Sequence, residues 1–355
     1  MRTINEFVKK EALLFIFLFL LAIFTILDPF EITNYPSFVD WRTITTLVGL
    51  LMITTGLKES GYFDVFSIRV LKKLKRERSL AFFLILFSVL LSTFLTNDVA
   101  LFIVIPLTVG IQNLIKYDVS KLIIFEAISV NVGSALTPIG NPQNLFLWHK
   151  WNISFVTFIM EMLPLVALLF TVLLIFAWIV FPNKEIRFSE GNNDGIIQKK
   201  VLFTLSMVLL IVYVISLEMK LGHIVLMLVF FLYLILYRKV LLKMDWMLLL
   251  LFIVIFIDFH VISTIPIISE GVNELNLHLS GNVFLFSAIT SQLVSNVPAS
   301  VLVSKFSNNW LAITYGVNVG GNGLAIGSLA SIIALRMAKN KNIWLKFHKP
   351  SFRTP

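Results

Sequence analysis

Four short polar stretches of this chain carry the residue types that could hold an ion. Ser92, Thr96 and Asn97 recur as Ser291, Ser295 and Asn296 within the matching segments 92–100 and 291–299. Asn131, Val132 and Gly133 recur as Asn318, Val319 and Gly320 within 131–140 and 318–327. Hydroxyl, amide and carbonyl oxygens form a hard ligand set, suited to Na⁺ or to a hydrogen-bonded oxyanion. Ser92, Thr96, Asn97 and Gly133, and in the second half Ser291, Ser295, Asn296 and Gly320, are therefore candidate Na⁺ ligands. Candidate substrate contacts come from the same stretches. In the first half they are Thr96, Asn97, Asp98, Asn131, Gly133, Thr137 and Asn141. In the second they are Ser295, Asn296, Pro298, Asn318, Gly321 and Asn322. The plainer alternative is that Ser and Thr in membrane helices bond back to their own backbone or join helices together.

Asp98 is the sharpest single residue. An acid at a break inside an apolar run is costly and suggests function. A proton carrier, a cation ligand or a helix cap would each account for it. Its counterpart is Val297, so the two halves differ there. Glu126 is a further candidate to face the site. Asp258 and His260 stand two apart and share no helix face, so they make no metal site. No nucleophile–base pair and no HExxH spacing occurs, which excludes an intramembrane hydrolase.

These residues must be positioned by membrane helices. Hydrophobic residues make up 58% and charged residues 14% of the 355, far from a soluble domain. The fold class is an all-α polytopic membrane protein forming one domain over 1–355. Apolar runs of spanning length fall at 12–27, 42–57, 121–148, 154–181, 200–217, 222–237, 246–262 and 310–335. That makes about eight spans, the first retained rather than cleaved as a signal peptide. Two more apolar segments, 80–115 and 282–306, break at the polar tips and read as re-entrant hairpins. Pro138 and Pro142 interrupt 121–148, and Gly320, Gly321, Gly323 and Gly327 loosen 310–335. Each half thus reads as a hairpin followed by a broken span, the first within 42–181 and the second within 222–335.

The net charge of +9 follows from loops, not from a nucleic-acid patch. All of the 29 Lys and Arg except Arg42, Lys150, Lys220 and Lys305 fall in pieces that would be cytoplasmic with both termini inside. The two hairpins then enter from opposite sides, an inverted-topology repeat. Broken helices in corresponding positions of two such halves point to a transporter's binding site. The stretch 62–76 reads as an interfacial amphipathic helix. Trp148, Trp151, Trp246 and Trp310 fall at expected interfaces. No Cys is present, so disulfides and Cys-bound metals are excluded.

The breaks resemble those of the ion transporter superfamily, which includes arsenite efflux permeases, NhaD-type sodium/proton antiporters, and citrate and divalent-anion symporters. The Thr96-Asn97-Asp98 tip resembles the arsenite-permease and antiporter version. Divalent-anion symporters carry Ser-Asn-Thr at both tips, which this chain lacks. The segment from Gly320-Gly321-Asn322 to Ala330 is most similar to the arsenite-permease ending. The resemblance covers roughly 80–335. It implies a scaffold and a moving transport unit in the plasma membrane, often within a homodimer. It also implies Na⁺ sites, where present, between each tip and the backbone of 131–137 or 318–323.

The leading expectation is a secondary transporter of a small inorganic or carboxylate anion, coupled to Na⁺ or H⁺ and needing no other cofactor. No buried Lys or Arg is expected to neutralise the anion. A sodium/proton antiporter using Asp98 and an arsenite-type efflux permease are the alternatives. A channel is disfavoured by the broken spans.

Overall fold

The computed structural model describes residues 11–63, 65, 66, 74–115, 118–186, 198–323, 327–337 and 343. They are helical throughout, and the one β contact among them is an isolated bridge between Arg76 and Glu185. Most of the segment 62–76 lies outside the described residues, though Tyr62 stacks on Phe203 with centroids 4.3 Å apart.

Four helices are long and apolar enough to cross a bilayer: Glu77–Phe94, Phe155–Val180, Lys200–Glu218 and Trp246–Thr264. Ala12–Leu27 and Gly222–Leu236 are apolar but shorter. Trp41–Glu59 is long but less apolar, because it lies inside the bundle and buries Thr43, Thr46, Thr54 and Thr55. It packs against Lys200–Glu218, Gly222–Leu236 and Trp246–Thr264. Phe155–Val180 is the opposite case, with most of its surface outward, as a lipid-facing helix requires.

Helix starts follow local chemistry. Asp40, Ser154, Asp245 and Asn309 each accept the backbone N–H three residues on, at 2.9, 3.0, 3.1 and 3.1 Å.

The two expected broken spans are each a pair of helices. The first is Ser120–Ser134 then Pro142–Trp151, and the second is Trp310–Gly320 then Leu329–Met337. Pro142 opens its helix where no N–H is needed, and Asn141 Oδ1 caps it by accepting from Asn144 N at 2.8 Å.

The hairpins differ in length. Ser280–Val294 and Asn296–Val303 have 15 and 8 residues, or ~22 and ~12 Å. The second of these arms reaches half a hydrocarbon core. Glu77–Phe94 and Asn97–Ile115 have 18 and 19 residues, ~27 and ~28 Å each, close to a full core. The arms of 80–115 are therefore not half-length.

Long-range contacts sort the loops into two groups. At one end Arg42 donates to Asn152 Oδ1 at 2.7 Å, Lys150 to Ser304 O at 2.6 Å, and Lys305 meets His260 at 2.8 Å. At the other, Glu77 N donates to Lys184 O at 3.0 Å, Lys199 N to Ser60 O at 2.9 Å, and Lys243 pairs with Glu59. Trp148 departs from expectation. It is buried inside the bundle against His149 and Phe155, not in an interfacial belt.

Candidate functional site

Each tip docks on the break of its own half, and small residues make this fit. In the first half the arm Glu77–Phe94 packs along Ser120–Ser134. A Cβ added at Gly133 would collide with Ser92 Oγ and with the backbone oxygen of Val89. In the second half Ser280–Val294 packs along Trp310–Gly320. A Cβ at Gly320 would sit 2.5 Å from Ala288 O and 2.7 Å from Ser291 Cβ. The sequence pairs Ser92 with Gly133 and Ser291 with Gly320 therefore meet in space. Because the blocking atoms include backbone oxygens, Gly133→Ala and Gly320→Ala should each cost about 1–3 kcal/mol. Gly110→Ala, with open space around it, should be neutral. Thermal-stability profiles of the three detergent-solubilised variants check this.

Neighbouring side chains tie the same joints. Thr93 Oγ1 donates to Gly133 O at 3.2 Å, and Gln292 Nε2 donates to Gly320 O. Thr137 Oγ1 reaches back to Thr93 O at 2.8 Å, and Asn97 N donates to Gly140 O at 2.8 Å. The tip amides behave alike. Asn97 Oδ1 accepts from Asp98 N at 2.9 Å and Asn296 Oδ1 from Val297 N at 3.0 Å. Ser295, between the second pair of arms, holds a φ of 79°, a strained left-handed value for a non-glycine residue. Its Oγ donates to Asn296 Oδ1 at 3.3 Å. Pro298 is buried within the first turn of the short arm.

The hydroxyls divide between the expected alternatives. Ser92 Oγ bonds back to Val89 O at 3.1 Å, while Ser291 Oγ joins two helices by donating to Val317 O at 3.1 Å. Thr96 Oγ1 is buried without a partner.

The two breaks also clasp each other. Asn131, in the first half, donates from Nδ2 to Gly321 O at 3.2 Å and Ser331 Oγ at 3.1 Å, and accepts from Ser328 Oγ at 2.9 Å. Asn318, its counterpart in the second half, donates to Asn144 Oδ1 at 2.7 Å and accepts from Asn141 Nδ2 at 3.3 Å. Asn322 Nδ2 closes on Asn318 O at 2.8 Å. Sequence reasoning missed Thr93, Gln292 and Asn144. Thr93 and Gln292 stand opposite each other in the matched segments, which was a usable signal; Asn144 has none.

Asp98 departs from this cluster. It caps nothing, and it lines a cavity of about 380 Å³ whose walls include Thr55, Lys58, Phe102, Lys243, Asp245 and Trp246. Its Oδ1 has no partner. Lys58 Nζ stands 4.3 Å from the Phe102 ring centre on the same wall. Half-buried Lys58 and exposed Lys243 border this cavity, while no described Lys or Arg is buried. Glu126 turns away from the breaks, accepts from Thr108 Oγ1 and is fully buried. Among the described residues no group of three or more acidic, His or Cys side chains could hold a metal.

A family model described as "Citrate transporter" matches residues 6–312. The inner membrane protein YbiR of Escherichia coli is 43% identical over 321 residues, 90% of this chain and 86% of its own. The uncharacterized transporter MJ0456 of Methanocaldococcus jannaschii is 39% identical over 332 residues, 91% and 87% of the two chains. The mouse P protein is 25% identical over 181 residues, 22% of its own length.

Proposed function

Because the chain belongs to the citrate transporter family and is a multi-pass membrane transporter rather than an enzyme, we propose that it is a secondary active transporter of a small anion, an inorganic oxyanion or a carboxylate, coupled to Na⁺ or H⁺. The carrying observation is the reciprocal clasp of Asn131 and Asn318 between two breaks, each docked on its own hairpin tip. Irregular backbone at membrane depth is tolerated where it lines a polar site. Four helices begin at this layer, at Asn97, Pro142, Asn296 and Leu329. Their N-terminal ends carry partial positive charge, which suits an anion. Thr96, Asn97 and Gly133, with Ser295, Asn296 and Gly320, offer the oxygens for a co-bound cation.

The two halves repeat the order of tip, helix, break and helix, which supports an inverted repeat with both termini inside. The hairpins and breaks would move as one unit against Trp41–Glu59 and Trp246–Thr264. The cavity lies at that boundary, between Asp98, Val99 and Phe102 on one side and Leu51, Thr55, Lys58 and Asp245 on the other. Its rim belongs to the Lys- and Arg-rich loops, so it opens to the cytoplasm.

A second reading is favoured by one observation. Asp98, with its unpaired oxygen at the cavity wall, could exchange Na⁺ for H⁺ without an anion.

A thermal-shift screen of the purified protein against citrate, phosphate, arsenite and other small anions, with and without Na⁺ and across pH, separates the readings. A ligand at 100 times its Kd stabilises the folded state by about 2.7 kcal/mol. Stabilisation by an anion, enhanced by Na⁺ or by low pH, is expected. Stabilisation by Na⁺ alone, competing with protons and lost in Asp98→Asn, would replace the anion reading with the antiporter.

A further inference from the structure

Asp258, like Glu126, is a fully buried acid that the arrangement above leaves without a task. It lies in Trp246–Thr264, ten residues beyond the cavity wall at Leu248, about 15 Å along the helix. It is fully buried, and both carboxyl oxygens are without a hydrogen-bond partner. Residues beside it on the helix make apolar contacts. Phe256 meets Phe146 at 5.2 Å and Phe259 meets Phe17 at 5.8 Å between ring centres. Two residues further out, His260 stacks on Phe38 at 3.8 Å and touches Lys305 at 2.8 Å. This layer closes the outer end.

The elements packed on this helix offer Asp258 no countercharge. Ala12–Leu27 and the short arm Asn296–Val303 contain no titratable residue. Tyr35 bonds Thr25 at 3.0 Å. On Trp41–Glu59, Arg42 is held by Asn152, while Lys58 and Glu59 lie at the far, cytoplasmic end. On Pro142–Trp151, His149 is 3.2 Å from Thr43 Oγ1 and Lys150 is held by Ser304. Glu270 on Pro266–Asn273 is exposed beyond the outer end. Lys305 is held by His260. An unpaired carboxylate in so dry a setting is strongly disfavoured, so the group is held as the neutral acid.

We propose that Asp258 is a proton-binding site of the outer face, filled while the short arm Asn296–Val303 covers it and emptied to external water when that arm moves away. This rests on the alternating-access reading given above. The step is a simple ionisation, in which the carboxyl O–H breaks, the proton passes to water and the solvated carboxylate remains. Low pH therefore favours the sealed outer face, and rising pH shifts the population toward the opened one, because only the opened form can accommodate the charge.

The absence of native Cys allows a clean test. Ser300, fully buried in the short arm, bonds only its own turn through Val297 O at 2.7 Å, so Ser300→Cys is a mild change. Leu275→Cys, in the exposed loop at the same end, serves as the reference thiol. Right-side-out vesicles would be treated with a membrane-impermeant maleimide from pH 5.5 to 8.5. Dividing the Ser300→Cys rate by the reference rate cancels the intrinsic pH dependence of thiols. The ratio should rise roughly tenfold or more across this range, as a one-proton, two-state equilibrium allows. With Asp258→Asn added it should stay low and flat, since Asn copies the neutral acid. Asp258→Leu should behave the same, which guards against new bonds made by the amide. An undiminished rise in both variants would overturn the proton site. So would a parent that labels equally at every pH, although outward opening would then stand. A parent that never labels would instead remove the alternating-access reading itself, and the proposal with it.

Discussion

Asn97→Ala and Asn296→Ala each lower anion uptake into proteoliposomes by about 10- to 100-fold while the protein still elutes as a folded species. The two amides occupy the same structural position in the two halves, both almost fully buried. Each Oδ1 accepts the next residue's N–H, one of the donors a helix start leaves unpaired. Losing such a cap costs about 1 kcal/mol, which a large bundle survives. The loss for transport is larger, because a bound ion and its hydrogen bonds are worth about 1.5–3 kcal/mol per charged contact, up to about a hundredfold. Asn296 Nδ2 lies 3.4 Å from where a Cβ of Gly321 would be, so this amide sits directly against the second break. Uptake assayed first with citrate, then with the anions that stabilise the protein, measures the effect. Wild-type rates in either variant would remove the paired-tip site.

The breaks were legible because Gly, Pro and Asn mark them locally. Pro142 and the Gly320–Gly321 pair leave little freedom over where a helix stops. Helix limits came within two or three residues for most spans, since the apolar runs set them. What could not be read lies in contacts far apart in sequence. Asn131 meets Gly321, and Asn141 meets Asn318, across about half the chain. No local pattern says that each asparagine serves the other half's break. Nor does spacing say where Asp98 points, because it sits on the first turn of a helix and that helix's rotation decides between break and cavity. The run 42–57 read as a span like the others; the moderate polarity of Trp41–Glu59 reflects its burial among other helices. Trp148 was misread for the same reason, since an aromatic near a helix end suits either an interface or a packed core.

The clasp between the breaks yields the second large effect. Asn318→Leu removes the partner of Asn144 Oδ1 and one partner of Asn141 Nδ2 while keeping the branched shape. Asn131→Leu does the same to Ser331, Ser328 and Gly321 O. Buried polar groups left unpaired cost about 1–3 kcal/mol each, so either change should destabilise by about 2–3 kcal/mol and stop uptake. The two networks adjoin at Ser134, whose Oγ donates to the backbone O of Asn131 at 3.1 Å and lies 3.2 Å from Asn141 Nδ2, so a backbone shift at one is felt by the other. The double variant should therefore lose less than the two singles together, by about 0.5–3 kcal/mol of coupling. Such coupling is what a single moving unit requires, because once one clasp opens the other no longer holds the halves in register. A double-mutant cycle on thermal stability and uptake reads it directly. Strict additivity would mean that the halves are joined elsewhere, and the clasp would then be a packing detail rather than the seam of the transport unit.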